Sequence, residues 1–185
     1  MRAFFCLTIP NDVKRAIGST AGRLRARTQM RASWVEQANY HVTVRFLGEI
    51  EPAATVDLDG ICRDVVRPFD PFEIRLDRAG AFPNAERPRV LWVGGETPPV
   101  FVELVRALND RLTAIGFERE RKRAVAHVTV ARIKGRPDPG LDRVLADMDG
   151  LPPLSVQVDR ITLMESRLTP DGAVYTPLFE RRLRA

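Results

Sequence analysis

Apolar and polar positions in this chain follow two rhythms, one with a period of about two residues and one of about 3.6, and the switches between them mark its elements. Residues 2–10, "RAFFCLTIP", are apolar nearly throughout and predict a buried strand ended by Pro10. Cap-type Asn11 and Asp12 follow. Val13, Ile17 and Leu24 then recur at helical spacing, which predicts a helix over 12–28. A connection over 33–40 leads into a strand over 41–48 closed by Gly48. Next comes a helix over 51–68, with Pro52 in its first turn and Pro68 past its end. Alternation over 71–82 predicts one strand, and 86–95 predicts another centred on Val90–Val93, with Gly94 and Gly95 as its closing turn.

The second half repeats the rhythm. Residues 98–117 carry the clearest amphipathic helix, stopped at Gly116, and a strand follows over 126–133. After a turn at 135–140 comes a short helix over 141–148, trailed by Gly150, Pro152 and Pro153. Alternating strands over 154–166 and 172–185 are joined by "RLTPDG", a turn rich in Pro, Asp and Gly. Helices and strands mix without a regular βαβ order, which predicts an α+β fold with largely antiparallel sheets. No low-complexity linker divides the halves, so residues 1–185 read as one domain of two lobes built as a unit.

Composition narrows the function classes. The chain has 185 residues and a net charge of +5, carried almost wholly by arginine, since Lys14, Lys122 and Lys134 are its only lysines. Guanidinium groups suit phosphate oxygens, so the balance favours phosphate-bearing partners, although a solvated arginine-rich surface has the same composition. No apolar run reaches membrane-spanning length, and the opening "MRAFFCLTIPNDVKRA" lacks a secretory pattern, so a cytoplasmic location is expected. Cys6 and Cys62 lack metal-site spacing and sit in apolar contexts, which predicts two buried free thiols. No phosphate-loop or dinucleotide glycine pattern occurs, and no cofactor is expected.

The sharpest feature is a repeat. The only two histidines, His41 and His127, each open the tetrapeptide His-Val-Thr-Val. From average composition, three further matches after a second histidine have odds on the order of one in a thousand, and an internal duplication explains them. In a strand, alternate residues share a face. His41 would then stand with Thr43 and His127 with Thr129, while Val42, Val44, Val128 and Val130 enter the core. Two such strands related by a pseudo-twofold would line opposite walls of one cleft. Paired imidazoles suit phosphoester cleavage without a metal: one takes a proton from water, the other gives a proton to the departing oxygen, and the hydroxyls hold phosphate oxygens. Two histidines without nearby Cys or acidic partners supply too few donors for a zinc site.

With these motifs and their flanks, "HVTVRFLGE" (41–49), "AGAFPNAERPRVLWVG" (79–94), "GFERERKRAVAHVTVARIK" (116–134) and the closing "LMESRL" and "GAVYTPL", the chain resembles the two-histidine phosphoesterases over nearly its whole length. Within them it is similar to the bacterial and archaeal RNA 2′,3′-cyclic phosphodiesterases once called 2′-5′ RNA ligases. The resemblance implies a bilobal, duplicated α+β fold with two largely antiparallel sheets facing a central cleft and helices outside. It implies metal-free hydrolysis of an RNA 2′,3′-cyclic phosphate to a 2′-phosphomonoester, and some members join RNA ends into 2′-5′ linkages. Carried onto this sequence, His41 is the general acid, His127 the general base, and Thr43, Thr129 and Arg132 hold the phosphate. Proline usually precedes the family's second motif; here Ala124 and Ala126 stand in that stretch, which touches loop shape and substrate preference, not the chemistry.

Strict alternation gives further expectations. Arg132, five residues after His127, should face away from it unless a bulge or the strand's end turns it inward. By the same parity Arg45 shares the His41 face, and Phe46 packs in the core. The run "ERERKR" (118–123) reads as a solvated loop or as a patch that steers RNA. Trp34 and Trp92 read as structural, and Tyr175 fits either role. A monomer acting on RNA with a cyclic phosphate end is the leading expectation. The rivals are a related enzyme for small cyclic nucleotides and a non-catalytic RNA-binding module.

Overall fold

A computed structural model describes residues 1–148, 152–170 and 172–184. Along the chain they form β1 (Arg2–Thr8), α1 (Asn11–Arg27), β2 (Ala32–Trp34), one 3-10 turn (Gln37–Asn39), β3 (His41–Glu49), α2 (Ala54–Val66), β4 (Phe72–Leu76) and β5 (Arg78–Phe82). There follow β6 (Val90–Gly94), α3 (Pro99–Ala114), β7 (His127–Ile133), α4 (Leu141–Ala146), β8 (Leu154–Val158), β9 (Arg160–Thr169) and β10 (Gly172–Arg182). The class is α+β, as the sequence predicts.

Every described strand pairing is antiparallel. One sheet runs in the order β10-β9-β1-β3-β7-β6-β5, with β2 beside the end of β7; β4 and β8 pair in a second, small sheet. The duplication is visible in this order. The triplet β9-β1-β3 answers the triplet β5-β6-β7, and each triplet borrows its outer strand from the other half of the sequence. The two triplets meet at a single residue pair, Val42 with Val128. Helices α2 and α3 pack together and cover the β9–β3 side, while α1 and α4 lie over the β7–β5 side. The opposite face of the sheet is left open as the cleft.

The core sits between helices and sheet. Phe5, Leu7, Val42, Leu91, Val128 and Val130 are all enclosed there with the apolar faces of α1 and α3. Burial of each such side chain contributes on the order of 1.5–3 kcal/mol. Cys6 and Cys62 are buried free thiols, and burial pushes both up to about 12. Among the described residues no helix is long and apolar enough to cross a membrane.

Two predicted strands are each two. Residues 71–82 divide at Asp77 into β4 and β5, and 154–166 divide at Asp159 into β8 and β9, with the first piece of each in the small sheet. Alternation survives the break, so it cannot reveal that the chain changes sheet. At Asp77 the amide donates to the Gly94 carbonyl at 2.8 Å, and a Cβ on Gly95 would stand 2.3 Å from the Arg75 carbonyl oxygen. Gly95 therefore serves a close crossing of two backbones. The 33–40 connection holds β2 and the 3-10 turn, and the 51–68 helix is shorter at both ends than predicted. Gly150 and Asp171, from two predicted turns, lie outside the described residues.

Candidate active site

Each motif opens a strand, β3 or β7, and the two strands share one burial pattern over their first seven residues. Val42, Val44, Val128 and Val130 are buried, while His41, Thr43, His127 and Thr129 are half-buried on the open face. Continuing the Val42–Val128 register by one residue each way sets His41 across from Thr129 and Thr43 across from His127. Each imidazole thus meets the hydroxyl of the other motif as well as its own. Within the first motif, His41 Nε2 lies 3.1 Å from Thr43 Oγ1.

A β-bulge follows the second valine in both strands. On β3 the pairing with β1 jumps from Thr43 to Arg45, and on β7 the pairing with β6 jumps from Thr129 to Ala131. Two consecutive residues then face the core, and the parity of everything beyond is reversed. Arg132 consequently comes to the open face with His127 and Thr129. Two other expectations are overturned for the same reason. Arg45 does not share the His41 face: it is 9% exposed on the core side. Phe46 does not pack in the core: it is 55% exposed, beside Phe4 at 5.7 Å between ring centroids.

The displaced Arg45 anchors the segment that feeds the second motif. Its guanidinium donates to the Glu118 carbonyl and lies 3.6 Å from the Glu120 carboxylate. Asn109 of α3 holds Glu120 from the other side, through its amide and its carbonyl at 3.1 Å each. Arg119 pairs with Asp110 at 2.5 Å. Of the basic run 118–123, Arg121, Lys122 and Arg123 remain exposed.

Both imidazoles are oriented by the backbone carbonyl two residues upstream. His41 Nδ1 lies 2.7 Å from the Asn39 oxygen, and His127 Nδ1 lies 2.8 Å from the Val125 oxygen. A carbonyl only accepts, so Nδ1 carries the proton and Nε2 is the free nitrogen in each neutral ring. Asn39 is itself tied to β10 by its side chain, which donates to the Ala173 carbonyl at 2.7 Å, and Lys14 donates to the Ala38 carbonyl at 2.6 Å. These carbonyl partners and Lys14 leave no mark in the sequence pattern. A turn immediately before each motif is the one hint that the rings are held from behind.

Loss of hydration pushes the His41 imidazole down to about 4, against a rise from its bond to Asn39 and further lowering by Lys14, His127 and Arg132. His127 is lowered too, by burial first and by Arg132 after it, with the Val125 bond opposing. Aromatic rings supply the dry surroundings. Phe4 and Tyr175 flank His41 at 4.8 and 5.4 Å, and Phe82 and Trp92 flank His127 at 4.9 and 6.4 Å. Tyr175 and Trp92 therefore belong to the walls of the site. Trp92 lies flat over Gly80, where a Cβ would stand 2.1 Å from its ring. Trp34 is partly buried against the core.

The arrangement brings two free Nε2 atoms, two hydroxyls and a guanidinium to one open face. Among the described residues no group of three or more His, Cys, Asp or Glu side chains comes together as a metal-binding set. The residues present can hold a phosphate and move protons on either side of it.

Comparison with known proteins agrees in extent as well as in motif. Residues 7–92 and 95–175 match the family described as LigT like Phosphoesterase. The RNA 2′,3′-cyclic phosphodiesterase of Methanothermobacter thermautotrophicus is 32% identical over 184 residues, covering 99% of each chain. A Thermotoga maritima protein of the same name is 34% identical over 181 residues, covering 97% of this chain and 94% of that one. The crystal structure of a protein from Thermus thermophilus, 29% identical, superposes with a TM-score of 0.79 over 100% of this chain and 98% of that one.

Proposed function

The chain belongs to the LigT-like phosphoesterases of the two-histidine superfamily, and we propose on that premise that it hydrolyses the 2′,3′-cyclic phosphate at an RNA end to a 2′-phosphomonoester without a metal. The observation that carries the reading is the pair of Nε2 atoms presented by two like strands around a single residue pair, each ring with its Nδ1 proton bound to a carbonyl. The curated relatives bear the name of this activity over nearly the full chain.

In the proposed reaction His127 Nε2 takes a proton from water as the water oxygen bonds to phosphorus. The bond from phosphorus to O3′ breaks, and His41, protonated at Nε2, gives that proton to O3′. The product carries a 2′-phosphate and a 3′-hydroxyl, and the two imidazoles have exchanged protonation states, which solvent restores. Thr43, Thr129 and Arg132 hold the non-bridging oxygens, where charge grows in the transition state. A 5′-hydroxyl taking the place of water would yield a 2′-5′ linkage, which we assign as a secondary activity. The protein acts as a monomer in this reading, a single domain over 1–185 with a cytoplasmic location.

The test is turnover of a nucleoside 2′,3′-cyclic phosphate in EDTA, with the product identified by phosphorus NMR. A 2′-phosphomonoester is expected. Absence of turnover, with RNA binding intact in the His41→Ala/His127→Ala double variant, would leave a binding module instead. Turnover abolished by chelation would remove the metal-free mechanism.

A further inference from the structure

Beyond the threonines the two motif strands carry different chemistry on the open face. Along β7 the row is His127, Thr129, Arg132 and then Lys134; along β3 it is His41, Thr43, Phe46 and Gly48. Strand β2 widens the first row. Ser33 pairs with Arg132, and the Lys134 amide donates to the Arg31 carbonyl at 2.8 Å, which continues the same register. Ala32, Trp34 and Ile133 pack toward the core, so Arg31 and Ser33 stand on the open face beside Lys134 and Arg132.

Arg31, Arg132 and Lys134 are all exposed, and none joins an ion pair among the described residues. Asp138, in the turn that follows, has its carboxylate oxygens on the Gln29 and Gly140 amides. Alternate residues on one strand face are about 7 Å apart, so Arg132 and Lys134 present cations in a line leading away from the histidines.

A 2′,3′-cyclic phosphate closes the 3′ end of a strand, so the rest of an RNA leaves in one direction only, through the 5′ oxygen of the terminal nucleotide. One wall of a pseudo-symmetric cleft must then carry the backbone and the other need not. We propose that Arg31, Ser33 and Lys134, continuing from Arg132, form a track at the end of β7 that binds the phosphates upstream of the cyclic end. The substrate is thereby an RNA strand in preference to a free cyclic nucleotide. This orientation rests on the cyclic-phosphate reading above.

The measurement is binding, which does not depend on turnover. Affinity for a short oligoribonucleotide ending in a 2′-phosphate is compared with that for a nucleoside 2′-phosphate by fluorescence anisotropy and competition, across a salt series. In Arg31→Ala/Lys134→Ala the oligonucleotide-to-mononucleotide affinity ratio is expected to fall roughly tenfold or more, from what hydrogen bonds to charged groups contribute. The salt slope for the oligonucleotide should fall by about 1.4, two single-strand phosphate contacts at about 0.7 each. Arg31→Glu/Lys134→Glu should lower the ratio further. An unchanged ratio, or a wild type that binds both ligands equally, overturns the track. If the ratio behaves as expected and the wild type turns over no cyclic phosphate, the track stands and the hydrolase reading fails.

Discussion

Phe46 and Arg132 occupy the same place in the two motif strands, five residues after the histidine and one bulge past the threonine, on the open face of the sheet. A duplicated frame would give both histidines equal surroundings. This pair breaks the equality, because one motif ends on an exposed ring and the other on a cation whose charge reaches both imidazoles. Unequal neighbours are what two histidines need to take different parts in one reaction.

The two arginines near the motifs should separate cleanly by experiment. Arg132→Ala removes an exposed donor from the phosphate region, so kcat/KM should fall about 10²-fold or more with the urea midpoint unchanged. Arg45→Ala deletes the buried partner of Glu118 and Glu120, and should cost about 1–3 kcal/mol of stability in urea unfolding. A stability loss confined to Arg132→Ala would contradict the bulge-reversed faces.

Replacing either histidine should slow turnover by about 10²–10⁴-fold while leaving the fold intact, since both rings are half-buried at an open face. Groups that act together are not additive, so His41→Ala/His127→Ala should be hardly slower than the worse single variant. Single-turnover rates of the three variants check this. Multiplying losses would mean that the two rings act independently.

Much of this was legible in the sequence because its signals are local. The repeated HVTV, the valines between histidine and threonine, and the helix in 98–117 follow from periodicity alone. The bulges after Val44 and Val130 were not legible. A bulge depends on which strand lies alongside, and it turned Arg45 inward and Phe46 outward against strict alternation. The same limit applies at Asp77 and Asp159, where an unbroken alternation hides a change of sheet. The carbonyls of Asn39 and Val125, which orient both rings, have no side-chain signature at all.

The two thiols give a check on the core. Burial raises both Cys6 and Cys62 to about 12, so little thiolate is present near neutral pH. A thiol reagent such as Ellman's should react with neither in the native protein and with both after unfolding. Rapid labelling of Cys6 in the native state would show that β1 is open beside the site.

The imidazoles also set how the protein responds to acid. His41 sits at about 4 when folded, below the 6.5 of an unperturbed ring, so the fold favours its neutral form. That contribution to stability is complete above about pH 6.5 and is lost as the pH falls toward about 4. His127 is lowered in the same direction. Wild type should therefore lose more stability over this window than His41→Ala, read as the difference between their urea midpoints. Catalysis requires the opposite for the acid, which must hold a proton beside the substrate. An anionic phosphate between the rings favours the charged imidazole and should raise the pKa of His41. In NMR titrations its ring should titrate near 4 in the free protein and clearly higher with a saturating nucleoside 2′-phosphate. The bell-shaped profile for kcat should accordingly lie at higher pH than that for kcat/KM, which reports the free enzyme. A His41 pKa unmoved or lowered by the phosphate would remove it from the role of acid.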